Sequence, residues 1–336
     1  MKRILWKPTM SEIGYLIAFL GLMGIVPVFA PSALLYILGL TFIFIILSVS
    51  WDIMVGYTGE VNLGHTVFIG IGGYITALLN VPTRLVDTPF SFIMSLPKLP
   101  IFITIILGGI GAALFGLLIG AVTLRLKGWY FALVTAILPL IFIKTTLVFS
   151  SVFGGEEGFS IGLENLIART TVGKYYISLI ALVVCLLIMY GIANSKIGLT
   201  FKAIREESEL AESLGIDIFK YKVIAISISS FFGGIGGALM VHYRGTISPD
   251  LYDIPLMLLI ILAVVIGGLG TVIGPILGGF LIYILKYWIL KGYFMTLIPY
   301  WLPINDDIIL YSLLIVIALI APHGLWNKIK KLYVSI

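Results

Sequence analysis

Charge is the first thing this chain lacks. Only 11% of its 336 residues are Asp, Glu, Lys or Arg, against 60% hydrophobic, and the mean hydropathy is +1.15. A soluble domain carries about 25% charged residues because water must solvate its surface. Lipid makes no such demand, so composition excludes an ordinary soluble enzyme. Cysteine is almost absent: Cys185 stands alone inside an apolar run, which rules out a disulfide framework. Histidine is scarce, and His65, His242 and His323 have no Glu or Cys at metal-ligand spacing. No Gly-x-x-x-x-Gly-Lys phosphate loop occurs. No catalytic residue, no metal and no cofactor held by the chain itself are therefore expected.

What is present is a series of apolar runs, each near the roughly 20 residues that a helix needs to cross hydrocarbon. The pattern predicts an all-α polytopic membrane bundle of about ten helices, forming a single membrane domain over residues 1–336. The helices are placed near 12–30, 33–52, 66–80, 100–124, 129–149, 174–194, 223–242, 256–268, 273–291 and 306–321. The segments 66–80 and 256–268 are short, as tilted, broken or re-entrant helices would be. Met1-Lys2-Arg3 followed by an apolar stretch and Val28-Phe29-Ala30 has the outline of a cleavable leader. Its length and the following Pro31 favour a retained first span.

The formal net charge of +5 does not point to nucleic acid, because the basic residues sit at the ends of apolar runs. There they act as topology signals and as contacts for anionic lipid. Placing both termini in the cytoplasm puts 13 of the 21 Lys and Arg residues on the inner side, as the positive-inside rule requires. Glycine, at 37 residues, recurs at helix-face spacing in Gly116-x-x-x-Gly120, in Gly233-x-x-x-Gly237 and at Gly270, Gly274 and Gly278. Small faces let helices approach closely where no hydrophobic effect drives them together.

The largest polar island, about 195–222, falls in the cytoplasm under this topology. Phe201, Ile204, Ala211 and Leu214 lie near one helical face, interrupted by Ser208. Lys202–Glu206 and Arg205–Glu209 are charge pairs at i,i+4, and Gly215 stands where a helix would stop. The segment reads as a short amphipathic helix, with a lipid-surface helix or a solvated connector as alternatives. A lipid-surface helix is mostly basic. The admixture of Glu206, Glu207, Glu209 and Glu212 favours a protein partner.

Glu209-Leu-Ala211-Glu-Ser-Leu-Gly215 resembles the Glu-Ala-Ala-x-x-x-Gly loop through which binding-protein-dependent permeases contact their ATPases. Its surroundings, Ala203 to Ile216, are similar to one branch, the branched-chain amino-acid ABC permease family and its M-type subunit. Further segments agree in order: Gly56 to His65 followed by Phe68 to Tyr74, Leu124 to Thr135, Gly154-Gly155 with Gly158-Phe159, Gly267 to Pro275, and Pro322 to Leu325. The resemblance departs at Trp51-Asp52, Glu60, Asn62 and Glu156-Glu157, changes that bear on which amino acid or amide is carried.

The resemblance implies a multi-pass inner-membrane subunit that moves branched-chain or related amino acids by alternating access. It implies four partners: a second, related permease, two cytoplasmic ATPases that use ATP and Mg, and an extracytoplasmic binding protein. Arg205, Glu209, Ala211 and Gly215 would then couple to the ATPases. Asn62, His65 and Tyr74 are candidates for the translocation path, since polar groups at membrane depth are costly and often functional. Asn62 and His65 could equally sit in water at the inner interface, and Tyr74 could be packing. Three readings stand beside this one: a purely structural membrane subunit, which the coupling helix argues against, the same family carrying urea or another small amide, and a stand-alone ion-coupled transporter. The last wants a buried acid, for which Asp52 is the candidate, although the drawn span ends there at the interface.

Overall fold

The computed structural model describes residues 21–95, 97–126, 129–294, 308–312 and 315. The chain runs through α1 (Ser32–Thr58), α2 (His65–Asn80), α3 (Ile101–Thr123), α4 (Trp129–Val148) and α5 (Thr171–Ala193). It continues through α6 (Lys196–Glu206), α7 (Ser208–Ser213), α8 (Ile218–Arg244), α9 (Ile254–Gly267) and α10 (Ile273–Ile284). Two short strands, β1 (Phe159–Ser160) and β2 (Thr246–Ile247), pair antiparallel.

Helices α1, α3, α4, α5 and α8, and the segment Ile273–Gly292 that begins with α10, are long and apolar enough to cross a membrane. Helices α2 and α9 are apolar but shorter. Sixteen and fourteen residues span about 24 and 21 Å, less than a hydrocarbon core of roughly 30 Å. Their ends must therefore be sheltered by protein. The chain is an all-α polytopic membrane protein.

Helix α1 is apolar on every side, and a helix of that kind belongs at the centre. In its most apolar stretch 72% of residues are buried, against 28% in α3 and α4, which present large side chains such as Leu118 and Ile137 to lipid. Helix α8 packs on α1, α2 and α3, and α9 and α10 form a hairpin against α1. The small-residue faces predicted along α8 and the α9–α10 hairpin are the seams. A methyl on Gly72 would overlap the backbone of Gly234, one on Gly237 the carbonyl of Ile69, and one on Gly267 the carbonyl of Gly274. These backbones touch because no side chain intervenes.

The eight helices placed between 33 and 291 coincide with observed ones. The spans at 12–30 and 306–321 fall largely outside the described residues, so the count of ten is not fixed by them. Two boundaries need correction. Helix α1 runs on to Thr58 rather than 52, which leaves Asp52 inside the helix and buried in protein, 1% exposed. Helix α8 begins at Ile218 rather than 223, with Asp217 capping it by accepting the Lys220 N–H at 3.0 Å.

Connections gather at two ends. At one, the residues after α1, the α6–α7 segment and the α9–α10 turn meet: Lys222 pairs with Glu60, and Arg205 reaches Gly56. At the other, Arg84 donates to the Ser151 carbonyl at 3.1 Å and lies 4.2 Å above the Phe159 ring. There the β1–β2 ribbon binds residues 158–162 to the end of α8. His242, fully buried, ties these parts together: its Nε2 meets Thr76 Oγ1 at 2.8 Å, and its Nδ1 meets the Asn165 carbonyl at 2.6 Å.

Candidate functional site

The polar island is not one helix but two. Ser195 caps α6 by accepting the Gly198 N–H, and α6 ends where Glu207 turns extended (φ −154°, ψ 95°). Helix α7 then runs for six residues and is closed by a Schellman motif: Ile216 N–H bonds Ala211 O at 3.1 Å and Gly215 N–H bonds Glu212 O at 2.9 Å. That closure needs a left-handed residue, and Gly215 supplies it at φ +84°. The break resets the helical phase. Phe201, Ile204 and Ala211 are buried as the periodicity predicted, whereas Leu214 is 75% exposed.

The four residues singled out for coupling therefore divide. Ala211 is an anchor, 3% exposed. Glu209 and Gly215 stand on the outer rim, beside exposed Leu210 and Leu214 and exposed Glu206, Glu207 and Glu212. Arg205 faces the other way and links this knuckle to the membrane helices. Neither i,i+4 charge pair closes to ion-pair distance. Arg205 instead donates through Nη1 to the Gly56 carbonyl near the end of α1.

Around Arg205 three segments converge. Asp52 Oδ1 accepts the N–H of Gly270 in the α9–α10 turn at 2.8 Å. A methyl on Gly56 would overlap both Asp52 Oδ1 and Gly270 N, so helix and turn are in backbone contact. Lys202 lies 5.1 Å above the Tyr57 ring. Burial pushes its ammonium below the usual lysine range, while the carboxylates of Asp52 and Glu206 pull it back up. Nearby, Lys222 and Glu60 form a pair of which each partner is only 17% exposed. Sequence reasoning missed this cluster. Its one available signal was the unusual acid at 52 together with three glycines at 56, 59 and 270.

Asn62, His65 and Tyr74 do not form one site. Asn62 and His65 lie at the start of α2, 1% and 0% exposed, inside protein rather than in water. The Asn62 carbonyl accepts from Trp51 Nε1 at 2.7 Å, and its Oδ1 accepts the Gly64 N–H at 2.9 Å. His65 bridges α1 and α8: Nε2 is 2.9 Å from Ser50 Oγ and Nδ1 is 3.5 Å from Ser229 Oγ. Tyr74 sits roughly two and a half turns further along α2. It stacks on Tyr252 at 5.7 Å and meets Phe153 edge-on at 5.3 Å. Two polar atoms in this series have no hydrogen-bond partner, Asn62 Nδ2 and Tyr74 Oη.

Gly158-Phe-Ser-Ile-Gly162 has the spacing of a hydrolase nucleophile elbow, a match that sequence reasoning also missed. It lacks the strand-to-helix turn that exposes such a serine. Ser160 lies in the two-residue strand β1, and its Oγ donates to the Gly245 carbonyl at 3.2 Å. Among the described residues no group of three His, Cys, Asp or Glu side chains could hold a metal ion.

Comparison with known proteins gives a consistent result. The family described as branched-chain amino acid transport system / permease component matches residues 33–318. The chain is 28% identical over 301 residues to the high-affinity branched-chain amino acid transport system permease protein LivM of Escherichia coli K12, covering 82% of this chain and 68% of that one. The LivM protein of Salmonella typhimurium is 28% identical over 276 residues, 72% of this chain and 60% of that one. LivH of Salmonella typhimurium is 23% identical over 301 residues, 84% and 91% respectively. No solved structure matches the chain.

Proposed function

The chain belongs to the family of branched-chain amino acid transport permease components, and from that premise we propose that it is one of two permease subunits in an ATP-driven amino-acid importer. It is a transport subunit and not an enzyme. A related permease forms the other half of the conduit, two cytoplasmic ATPases supply hydrolysis with ATP and Mg, and an extracytoplasmic binding protein delivers the substrate. In this reading residues 1–336 form a single permease domain of ten spans with both termini in the cytoplasm. Branched-chain amino acids are the substrate class, in keeping with the printed names of the LivM and LivH relatives. The family match gives no support to a stand-alone ion-coupled transporter or to an amide carrier.

The observation that carries the coupling role is the two-sided build of the α6–α7 knuckle. Phe201, Ile204 and Ala211 anchor it, Arg205 bonds it to α1, and Glu209, Leu210, Leu214 and Gly215 project from it. Apolar side chains amid acids, at the end of a membrane bundle, suit a protein partner with a basic rim better than anionic lipid. ATP-driven closure of the partners would shift the permease between outward and inward access, each state favoured by different contacts. We place the translocation path along the first half of α2, because Asn62 just before the helix and Tyr74 in its third turn leave unpaired polar atoms and His65 lies between them. The test is leucine uptake into proteoliposomes. The chain with its second permease, ATPases and binding protein should accumulate leucine when ATP is supplied, and the chain alone should not. ATP-independent accumulation by the chain alone would defeat the reading.

A further inference from the structure

Where the knuckle meets the membrane helices, Asp52 is 1% exposed yet uses only half of its carboxylate. Oδ1 accepts the Gly270 N–H at 2.8 Å, while Oδ2 has no hydrogen bond. A buried carboxyl oxygen left without a partner is expensive, and such exceptions mark strain or function. Packing does not explain this one, since an apolar side chain would fill the same space at less cost.

A partner is at hand but not engaged. A methyl on Gly270 would overlap Arg205 Nη1 and come within 2.6 Å of the Gly56 carbonyl. A methyl on Gly56 would overlap Asp52 Oδ1. The carboxylate and the guanidinium therefore lie against the same two glycines. Arg205 nonetheless donates to Gly56 O, and among the described residues the ion pairs are Lys98–Glu164, Lys222–Glu60 and Arg244–Asp250. Asp52 is fixed inside α1, whereas Arg205 is largely exposed and rides on the segment that would move with the ATPases. Among the described residues no second or third His, Cys, Asp or Glu joins Asp52 in a group that could hold a metal ion.

We propose that Asp52 is a positioning residue for transport, the membrane-side receiver of the coupling movement, to which Arg205 transfers from the Gly56 carbonyl in the other access state. This rests on the reading of α6–α7 as the ATPase-docking element. A guanidinium can bond both carboxylate oxygens at once, so the transfer satisfies Oδ2 and gives the contact two discrete settings. Gly270 is bonded to the same carboxylate, so the change passes to the α9–α10 turn. A knuckle displacement thereby reaches α1 and the α9–α10 hairpin together.

The test compares Asp52→Asn, Arg205→Gln and the double variant in the full complex in proteoliposomes, with ATP hydrolysis and leucine uptake measured on the same vesicles. Asparagine keeps the volume and an Oδ1 acceptor for Gly270 but removes the charge. Each single variant should retain bound ATPases and continue to hydrolyse ATP, with uptake reduced roughly tenfold, so that ATP spent per leucine rises by that factor. The double variant should be no worse than either single, because both act through one contact. A purely structural role would lower hydrolysis and uptake in step. A wild-type ratio of ATP to leucine in either single variant, or multiplied losses in the double, overturns the proposal. Because Arg205→Gln also removes the bond to Gly56, Asp52→Ser, smaller and still able to accept from Gly270, takes the place of Asp52→Asn if that variant misfolds, with the same outcomes expected. If the wild-type chain holds no ATPases, the docking reading fails, and this proposal with it.

Discussion

Replacing Gly215 with asparagine, alanine and valine separates backbone conformation from side-chain contact. The residue has φ +84°, and a methyl placed on it would meet nothing within 4 Å. Any effect must therefore arise in the backbone. A side chain in the left-handed region costs about 1–2 kcal/mol. Asparagine tolerates that region, alanine carries the ordinary cost, and valine the largest. Helix α7 has six residues, too few to persist without its cap and the buried Ala211. At about 1.4 kcal/mol per tenfold, the alanine variant lowers the population of the closed knuckle by up to roughly 5–30-fold. A binding-competent state reduced in population weakens apparent affinity by the same factor. Titrating labelled ATPase onto the chain in nanodiscs should give the order Gly, Asn, Ala, Val, from tightest to weakest. Thermal unfolding of the membrane helices should be unchanged throughout, because nothing packs on Gly215. Equal affinity for all four, or asparagine binding as weakly as valine, would refute the reasoning.

Other outcomes follow from particular contacts. Single cysteines at the exposed residues Glu156 and Glu212, in a Cys185→Ser background, should react oppositely with an impermeant maleimide on intact cells; equal labelling would overturn the proposed topology. Gly237→Ala should lower the unfolding midpoint by the equivalent of about 1–3 kcal/mol, since its methyl would overlap the Ile69 carbonyl. Gly191→Ala, with no atom within 4 Å, should be neutral or slightly stabilising; the reverse order in a thermal shift assay would contradict the packing seam. Tyr74→Phe should leave stability intact, because the hydroxyl has no partner and the stacking on Tyr252 is kept. If the hydroxyl faces the path, leucine uptake falls, and an unchanged uptake removes Tyr74 from it. Lys222→Met should destabilise more than Lys222→Met with Glu60→Gln, because the single variant strands a half-buried carboxylate.

Much of this protein was legible before folding. Membrane residence follows from an 11% charge content, and the eight helices between 33 and 291 follow from apolar runs, six of them long enough to cross a bilayer. Gly215 as a helix stop, Ala211 as an anchor and the small faces of α8 were equally readable, because each depends on a few neighbouring residues. The family resemblance drew on stretches of the same kind and agrees with the match over residues 33–318.

Only the tertiary structure decided what lies between distant segments. It split the polar island at Glu207 and turned Leu214 outward, a change of helical phase that periodicity extrapolates straight through. It set Asp52 in a buried position against Gly270, a partner 218 residues along the chain. It turned Arg205 away from Glu209 and toward Gly56, and it separated Tyr74 from Asn62 and His65. Sequence periodicity reports how one helix meets its average surroundings. Which carboxylate faces which backbone amide depends on how two helices and a turn close on each other, and in lipid that closure is set by packing among small residues rather than by a hydrophobic pattern any single segment displays.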